Sequence, residues 1–289
     1  MDAHTWYHVG QTETINDQKV FYQRAGKGQV VVCIHGFPSS SWDFEAIWEP
    51  LTSKFDTIAM DLIGLGKSSK PNQPLTVALQ ANMIERLLAA KEITAAHLLA
   101  HDLGDTVAQE LLARQQEGSN TITWHSCVLM NGGIFPETHR PLLIQKLLIS
   151  PLGSILAPFM SENTFRKNMT RVFSEAHPPS KDFITETWKL IQADGGKKMI
   201  PRLIRYMRER VQSRERWVRP LEQKVVPLRL INGVEDPISG AHAADRFEEV
   251  VPDADVVRLP TSGHYPHLET PHEVAEAFLE FHSTLHEGQ

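Results

Sequence analysis

The sequence predicts an α/β fold in which a mostly parallel central sheet carries helices on both faces and an inserted helical cap. Three observations lead there. Short continuous apolar runs, bounded by glycine or polar residues, read as strands buried on both faces of a parallel sheet. These runs alternate with segments of helical periodicity, as crossover connections require. The alternation then stops after residue 133 and resumes near residue 226, with only helical patterns between.

The elements follow in chain order. Residues 5–10 and 19–23 are expected as short strands joined by the polar turn QTETINDQ, and GKG at 26–28 is a turn signal. QVVVCIH at 29–35 is the first long buried strand and FDTIAMD at 55–61 the second. Residues 75–91 have apolar positions at helical spacing. AAHLLA at 95–100 is the third buried strand. DTVAQELLARQQEG at 105–118 is a helix closed by glycine, and HSCVLMN at 125–131 is the fourth strand. PLLIQKLLI, KDFITETWKLI and IPRLIRYMRERV make the insertion helical. VPLRLING at 226–233 and DVVRLP at 255–260 restore the strand pattern, with helices near 240–250 and 271–285. The expected organisation is core at 1–133, helical cap at 134–219 and core again at 220–289. A cap inserted above the carboxyl edge of a sheet is placed to cover a pocket.

Composition narrows the class. Hydrophobic residues make up 41% and charged residues 22% of 289, which is globular composition. The net charge of -6 gives no general attraction to nucleic acid or to an anionic membrane. Cys33 and Cys127 sit in apolar runs and read as buried thiols. MDAHTWYHVG lacks the pattern of a signal peptide, and no apolar stretch is long enough to span a bilayer, so a cytoplasmic protein is expected.

The chemistry begins at LLAHDLGDTVAQELL, 98–112. A buried strand runs into a helix, and Asp102 sits on the turn between them, with Ala100 and Gly104 as small neighbours. Such a turn presents a nucleophile at the positive end of a helix. An aspartate there also fits as a helix cap. HGFP at 35–38 follows the first long strand. The backbone N–H groups of Phe37 and Leu103 are the candidate pair for holding a developing oxyanion, although HGFP also reads as a simple turn. INGVEDPISG places Asp236 after a strand, and PTSGHYPHLE places His264 after the next. Asp102, Asp236 and His264 thus share one sheet edge, in the order nucleophile, acid, histidine. His264 is the candidate base and Asp236 the group that orients it. His101, Trp42 and Tyr265 are candidate pocket residues. His35, His97 and His267 read as structural or exposed. DLIGLGKSS at 61–69 lacks the spacing of a phosphate-binding loop, and no metal-ligand pattern appears, so neither metal nor cofactor is expected.

HGFP, then Asp61, Gly64, Gly66 and Ser68, then HDLG, then Gly233, Asp236 and Pro237, then GH at 263–264, together resemble the epoxide hydrolase and haloalkane dehalogenase branch of the α/β-hydrolases. The resemblance spans nearly the whole chain. It implies the α/β-hydrolase fold and an aspartate nucleophile that displaces a leaving group from carbon. The resulting alkyl–enzyme ester is hydrolysed by water that histidine activates. It also implies a cap tyrosine that protonates an opening epoxide ring, for which Tyr206 is the candidate.

Within this branch, dehalogenases hold halide with an indole N–H after the nucleophile and often with Asn or Trp after HG. Leu103 and Phe37 occupy those positions and offer no side-chain donor. Epoxide hydrolysis to a diol is therefore the leading expectation. A haloalkane dehalogenase or other carbon–heteroatom hydrolase is one alternative, and a non-enzymatic interaction protein on this fold is another. The expected partners are a small apolar organic substrate and water, without nucleic acid or membrane, in a monomer or homodimer.

Overall fold

The apolar runs become neighbouring strands in a computed structural model that describes residues 1–287. Eight strands form one sheet: β1 Gln11–Ile15, β2 Gln18–Ala25, β3 Val30–Ile34, β4 Asp56–Met60, β5 Ala95–His101, β6 Thr123–Met130, β7 Leu228–Gly233 and β8 Val256–Leu259. Their spatial order is β1-β2-β4-β3-β5-β6-β7-β8. The β1–β2 and β2–β4 pairs are antiparallel, and every other pair is parallel. From β3 the chain moves outward to β4, then crosses back to β5 on the other side. That reversal leaves a crevice at the carboxyl ends of β3 and β5, where ligands of open α/β sheets bind.

Strand alternation divides the core between the two faces. Val32 and Ile34 of β3 join the apolar cluster on one face, and Val31 and Cys33 join the cluster on the other. Helices α1 (Ala3–Val9) and α2 (Glu45–Thr52) belong to the second face, whereas α3 (Val77–Ala90) and α4 (Leu103–Glu117) cover the first. Cys33 and Cys127 are free, buried thiols.

After β6 the chain enters an inserted helical cap region. It holds α5 (Leu143–Ile149), α6 (Gly153–Leu156), α7 (Glu162–Val172), α8 (Lys181–Gln192), α9 (Ile200–Leu203), α10 (Tyr206–Gln212) and α11 (Arg214–Glu222). The last of these packs on α4 and returns the chain to the core. The core then adds α12 (Ala241–Val250), α13 (Pro266–Glu269) and α14 (Pro271–Glu287).

One expected strand is corrected. Residues 5–10 lie mostly in α1, because Asp2 accepts the Thr5 N–H as an N-cap and Trp6 and Tyr7 turn together into the core. The turn QTETINDQ contributes β1 itself, closed by Asn16 and Asp17 at positive φ. The alternating residues of an exposed edge strand gave no continuous apolar run to read.

Candidate active site

The site is assembled where β5 ends. Asp102 takes φ 49° and ψ -105°, an unfavourable conformation for a residue with a Cβ, and α4 begins at the next residue. Such strain is worth about 1–3 kcal/mol and persists only where packing imposes it. Two glycines impose it here. A Cβ on Gly104 would stand 2.1 Å from the Ile34 carbonyl oxygen, and one on Gly36 would stand 2.8 Å from Asp102 Cβ. The turn, the HGFP loop and β3 can meet only with hydrogen at both positions.

Asp102 Oδ2 accepts the Phe37 N–H at 2.9 Å. Its Oδ1 accepts the Tyr206 hydroxyl at 3.2 Å and stands 4.0 Å from His264 Nε2. On its far side, His264 Nδ1 meets Asp236 Oδ2 at 2.8 Å. Three further donors hold Asp236: the Ile238 N–H at 2.7 Å, the Ser239 hydroxyl at 2.8 Å and the Asn131 amide at 3.1 Å. Asp102, Asp236, His264 and Tyr206 are all buried. The structure therefore brings together four residues that are up to 162 positions apart along the chain.

Electrostatics follows from this geometry. Burial disfavours the His264 charge, but Asp236 and Asp102 outweigh it and push the imidazole up to about 9. Burial disfavours both carboxylates too, and the His264 charge reverses this and holds them below their usual range. Burial, then the Asp102 charge, raises Tyr206 far above an ordinary phenol, so it carries its proton. In the resting site a charged imidazole lies between two carboxylates, with a protonated phenol facing one of them.

A cavity of about 80 Å³ reaches this cluster. Phe37, His264 and Tyr265 line its floor, and cap side chains including Leu148, Met169 and Ile200 line its walls. The lining is chiefly apolar, with Gln145 and Asn168 adding polar groups to those of His264 and Tyr265. Among the candidate pocket residues, Tyr265 is in the lining, and Trp42 and His101 are not. Trp42 instead stacks on Phe183, with its indole N–H on the Met1 carbonyl. His101 turns behind Asp102 and donates from Nε2 to the His264 carbonyl at 2.7 Å.

Behind Asp102 lies a second candidate set. Asp43, His101 and His267 are buried, and each offers a ligand-type atom within 4.8 Å of the others. These are the side chains that could hold a metal ion among the described residues. N and O ligands of a tetrahedral zinc stand about 3.3–3.6 Å apart, so a set spread to the 4.8 Å limit would have to close by about 1 Å. Burial drives His101 down to about 3 and Asp43 up to about 8, so both are neutral at neutral pH. His267 stacks on Phe44. His35 also proves buried, accepting the Leu62 N–H at its Nε2.

Residue-by-residue reading missed Asn131 and Glu269. Asn131 follows β6 at the same sheet edge and binds both Asp236 and the Gly233 carbonyl. Glu269 accepts N–H groups from Gly263 and Tyr265, on either side of His264, and from Ser174 in the cap region. Both are ordinary polar residues outside any motif, although Asn131 could have been found by its place directly after a buried strand.

Residues 31–277 match the model of the alpha/beta hydrolase family. The chain belongs to the α/β-hydrolase family. This α/β-hydrolase is 38% identical to the mesoderm-specific transcript homolog protein of Bos taurus, over 96% of this chain and 87% of that one. Its fold is similar to a haloalkane dehalogenase DbeA loop variant from Bradyrhizobium elkanii, with a TM-score of 0.82, 18% identity and coverage of 97% and 99%. It is also similar to the epoxide hydrolase CorEH, with a TM-score of 0.78, 18% identity and coverage of 96% and 99%. The protein is thus a hydrolase of this superfamily, and it shares its fold with a haloalkane dehalogenase and an epoxide hydrolase. Among the described residues, no helix is long and apolar enough to cross a membrane.

Proposed function

We propose that this α/β-hydrolase opens an apolar epoxide to a diol through an ester on Asp102. The observation that carries the reading is the Tyr206 hydroxyl, 3.2 Å from Oδ1, the attacking oxygen of this mechanism. A cap phenol there can protonate the oxygen that leaves as the carboxylate attacks. Epoxides need that proton, because an alkoxide is a poor leaving group. The cap is taken as residues 134–219, and the substrate as a small organic molecule suited to the apolar cavity.

In the first step an Asp102 oxygen bonds to a ring carbon and the carbon–oxygen bond of the ring breaks. Tyr206 transfers its proton to the ring oxygen. Formation of the ester removes the Asp102 charge, which lowers the proton affinity of His264. The imidazole then releases its proton, which restores Tyr206 directly or through solvent. In the second step water attacks the Asp102 carboxyl carbon, with His264 Nε2 taking its proton and Asp236 fixing the ring through Nδ1. The N–H groups of Phe37 and Leu103 are the proposed donors to the oxyanion at Oδ2. As this intermediate collapses, the ester carbon–oxygen bond breaks and the remaining proton of the added water passes to the leaving alkoxide oxygen, which returns the Asp102 carboxylate and releases the diol.

A second reading, haloalkane hydrolysis, uses the same nucleophile and base and needs no proton at the leaving group. The side chains of Phe37 and Leu103 give halide no donor, which favours the epoxide. We also infer a cytoplasmic location, which suits the unpaired Cys33 and Cys127.

Intact-protein mass spectrometry of His264→Gln after exposure to pooled epoxides and haloalkanes tests the mechanism. Stalled hydrolysis should leave a mass increase on Asp102 equal to the whole epoxide. An increase equal to the haloalkane less HX would select the second reading. A folded variant with no adduct at Asp102 would reject the ester mechanism for that substrate pool.

A further inference from the structure

Nine large apolar side chains are exposed among the described residues, and six of them fall within residues 143–159. These are Leu143, Leu147, Leu152, Ile155, Leu156 and Phe159, with Leu143 76% and Phe159 81% exposed. Leu143 and Leu147 are one turn apart on α5, and α6 packs against α5, so the six belong to contiguous elements. The opposite face of α5 is apolar too, because Ile144 and Leu148 line the cavity. Apolar side chains thus stand on two sides of α5, and one set of them meets solvent, where a contiguous apolar patch marks an interaction surface.

The charge of the chain segment that carries this face departs from that of the whole chain. Residues 140–171 carry Arg140, Lys146, Arg166, Lys167 and Arg171 against the single acid Glu162, in a chain of net charge -6. All five bases are exposed, and none is in an ion pair among the described residues. Three of the five lie on α7, whose inward residues Phe165, Met169 and Val172 form another wall of the same cavity. An apolar strip and a basic strip therefore flank one cavity.

We propose that residues 143–159 dock on the surface of an anionic lipid bilayer, with the cavity placed to receive an apolar molecule from it. The apolar side chains would enter the boundary between headgroups and acyl chains, and the basic ones would face lipid phosphates. The docking is peripheral, since among the described residues no helix is long and apolar enough to cross a membrane. The net charge of the whole chain pointed away from membranes only because its acids lie elsewhere. A second copy fits this face less well, since a two-fold pairing would bring the same bases together.

The test is sedimentation with vesicles of phosphatidylcholine alone and of phosphatidylcholine with phosphatidylserine. The protein should bind the anionic vesicles, and added salt should weaken binding. Ile155→Ser with Phe159→Ser should reduce affinity by on the order of tenfold or more. Lys146→Glu with Lys167→Glu should remove the preference for phosphatidylserine. These side chains are exposed, so thermal unfolding should confirm that both variants are folded. Failure to bind anionic vesicles, or binding that both variants retain, would overturn the proposal. So would self-association that the apolar substitutions abolish, since a second copy would then cover the face. Binding is read without turnover, so either result leaves the reading of Asp102 to its own test.

Discussion

The Tyr206 hydroxyl donates to Asp102 Oδ1 at 3.2 Å, linking the first residue of α10 to the turn after β5. The contact joins the inserted helical region to the sheet edge at the atom assigned to attack. Arg210, one turn further along α10, stacks its guanidinium 4.9 Å from the Tyr206 ring and donates to the Thr106 hydroxyl on α4. Tyr206 is therefore held from below by the core as well as by its own helix.

Removing only the phenol oxygen separates the two leaving-group chemistries. Tyr206→Phe keeps the ring and its packing but loses the proton donor. Ester formation from an epoxide should slow by about 10²–10⁴, the usual range for a general acid. Ester formation from a haloalkane should change far less, because halide leaves without a proton. Single-turnover mass spectrometry with both substrates measures this. Equal slowing would remove Tyr206 from the role of acid.

Most of the fold was legible in the sequence because a buried parallel strand is a continuous apolar run. QVVVCIH and AAHLLA announced β3 and β5, and the turns after β5, β7 and β8 positioned Asp102, Asp236 and His264. Less was legible where one signal served two structures. Trp6 and Tyr7 fall in a short stretch expected as a strand, but the Asp2 cap starts a helix that turns both into the core. Tyr206 was a candidate by resemblance, and only packing could bring α10 to β5. Trp42 and His101 were near the right loops, but nearness in sequence does not fix the direction of a ring. Asn131 and Glu269 bind mainly backbone and one carboxylate, a role that no residue pattern encodes.

The pH dependence of stability should show the charged cluster. His264 is raised in the folded protein from 6.5 to about 9, so its contribution is complete below pH 6.5 and is lost as pH rises through 9. Asp102 and Asp236 are lowered, so their contribution is present above the usual carboxylate range and is lost as pH falls through their depressed values. Stability from this cluster should therefore be greatest between roughly pH 4 and 6.5. Urea unfolding of the wild type should lose on the order of 1–3 kcal/mol from it between pH 6.5 and 9.5. His264→Gln should flatten that limb, and an unchanged slope would show that His264 is not raised.

Catalytic pH dependence has a different origin. Once Asp102 is esterified, one of the two carboxylates that raise His264 is gone. Hydrolysis should then follow an imidazole with a lower pKa than in the free enzyme, and should fail as pH falls through that value. Ester formation needs ionised Asp102, whose pKa is depressed, and protonated Tyr206, whose pKa is raised, so it should continue in mild acid. The ester should accumulate at pH 5 during turnover and disappear at pH 8. Quenched-flow mass spectrometry would measure its fraction, and a constant fraction across this range would exclude His264 as the titrating base.

Asp236→Asn tests the link that orients the base. The amide is nearly isosteric, and its oxygen can still face His264 Nδ1, but it carries no charge. It also turns a donor toward Ser239 or Asn131, both of which now donate to Asp236. The imidazole should lose most of its elevation, and its ring should no longer be held in the orientation that points Nε2 at water. Hydrolysis of the ester should slow by at least about 10², while its formation changes by less than about tenfold, since Asp102 keeps the Phe37 N–H and the Tyr206 hydroxyl. The variant should therefore trap the same adduct as His264→Gln. Titration of the imidazole by NMR in the two proteins supplies the second readout: a His264 pKa that stays near 9 in the variant would mean that Asp102, rather than Asp236, holds the proton on the ring.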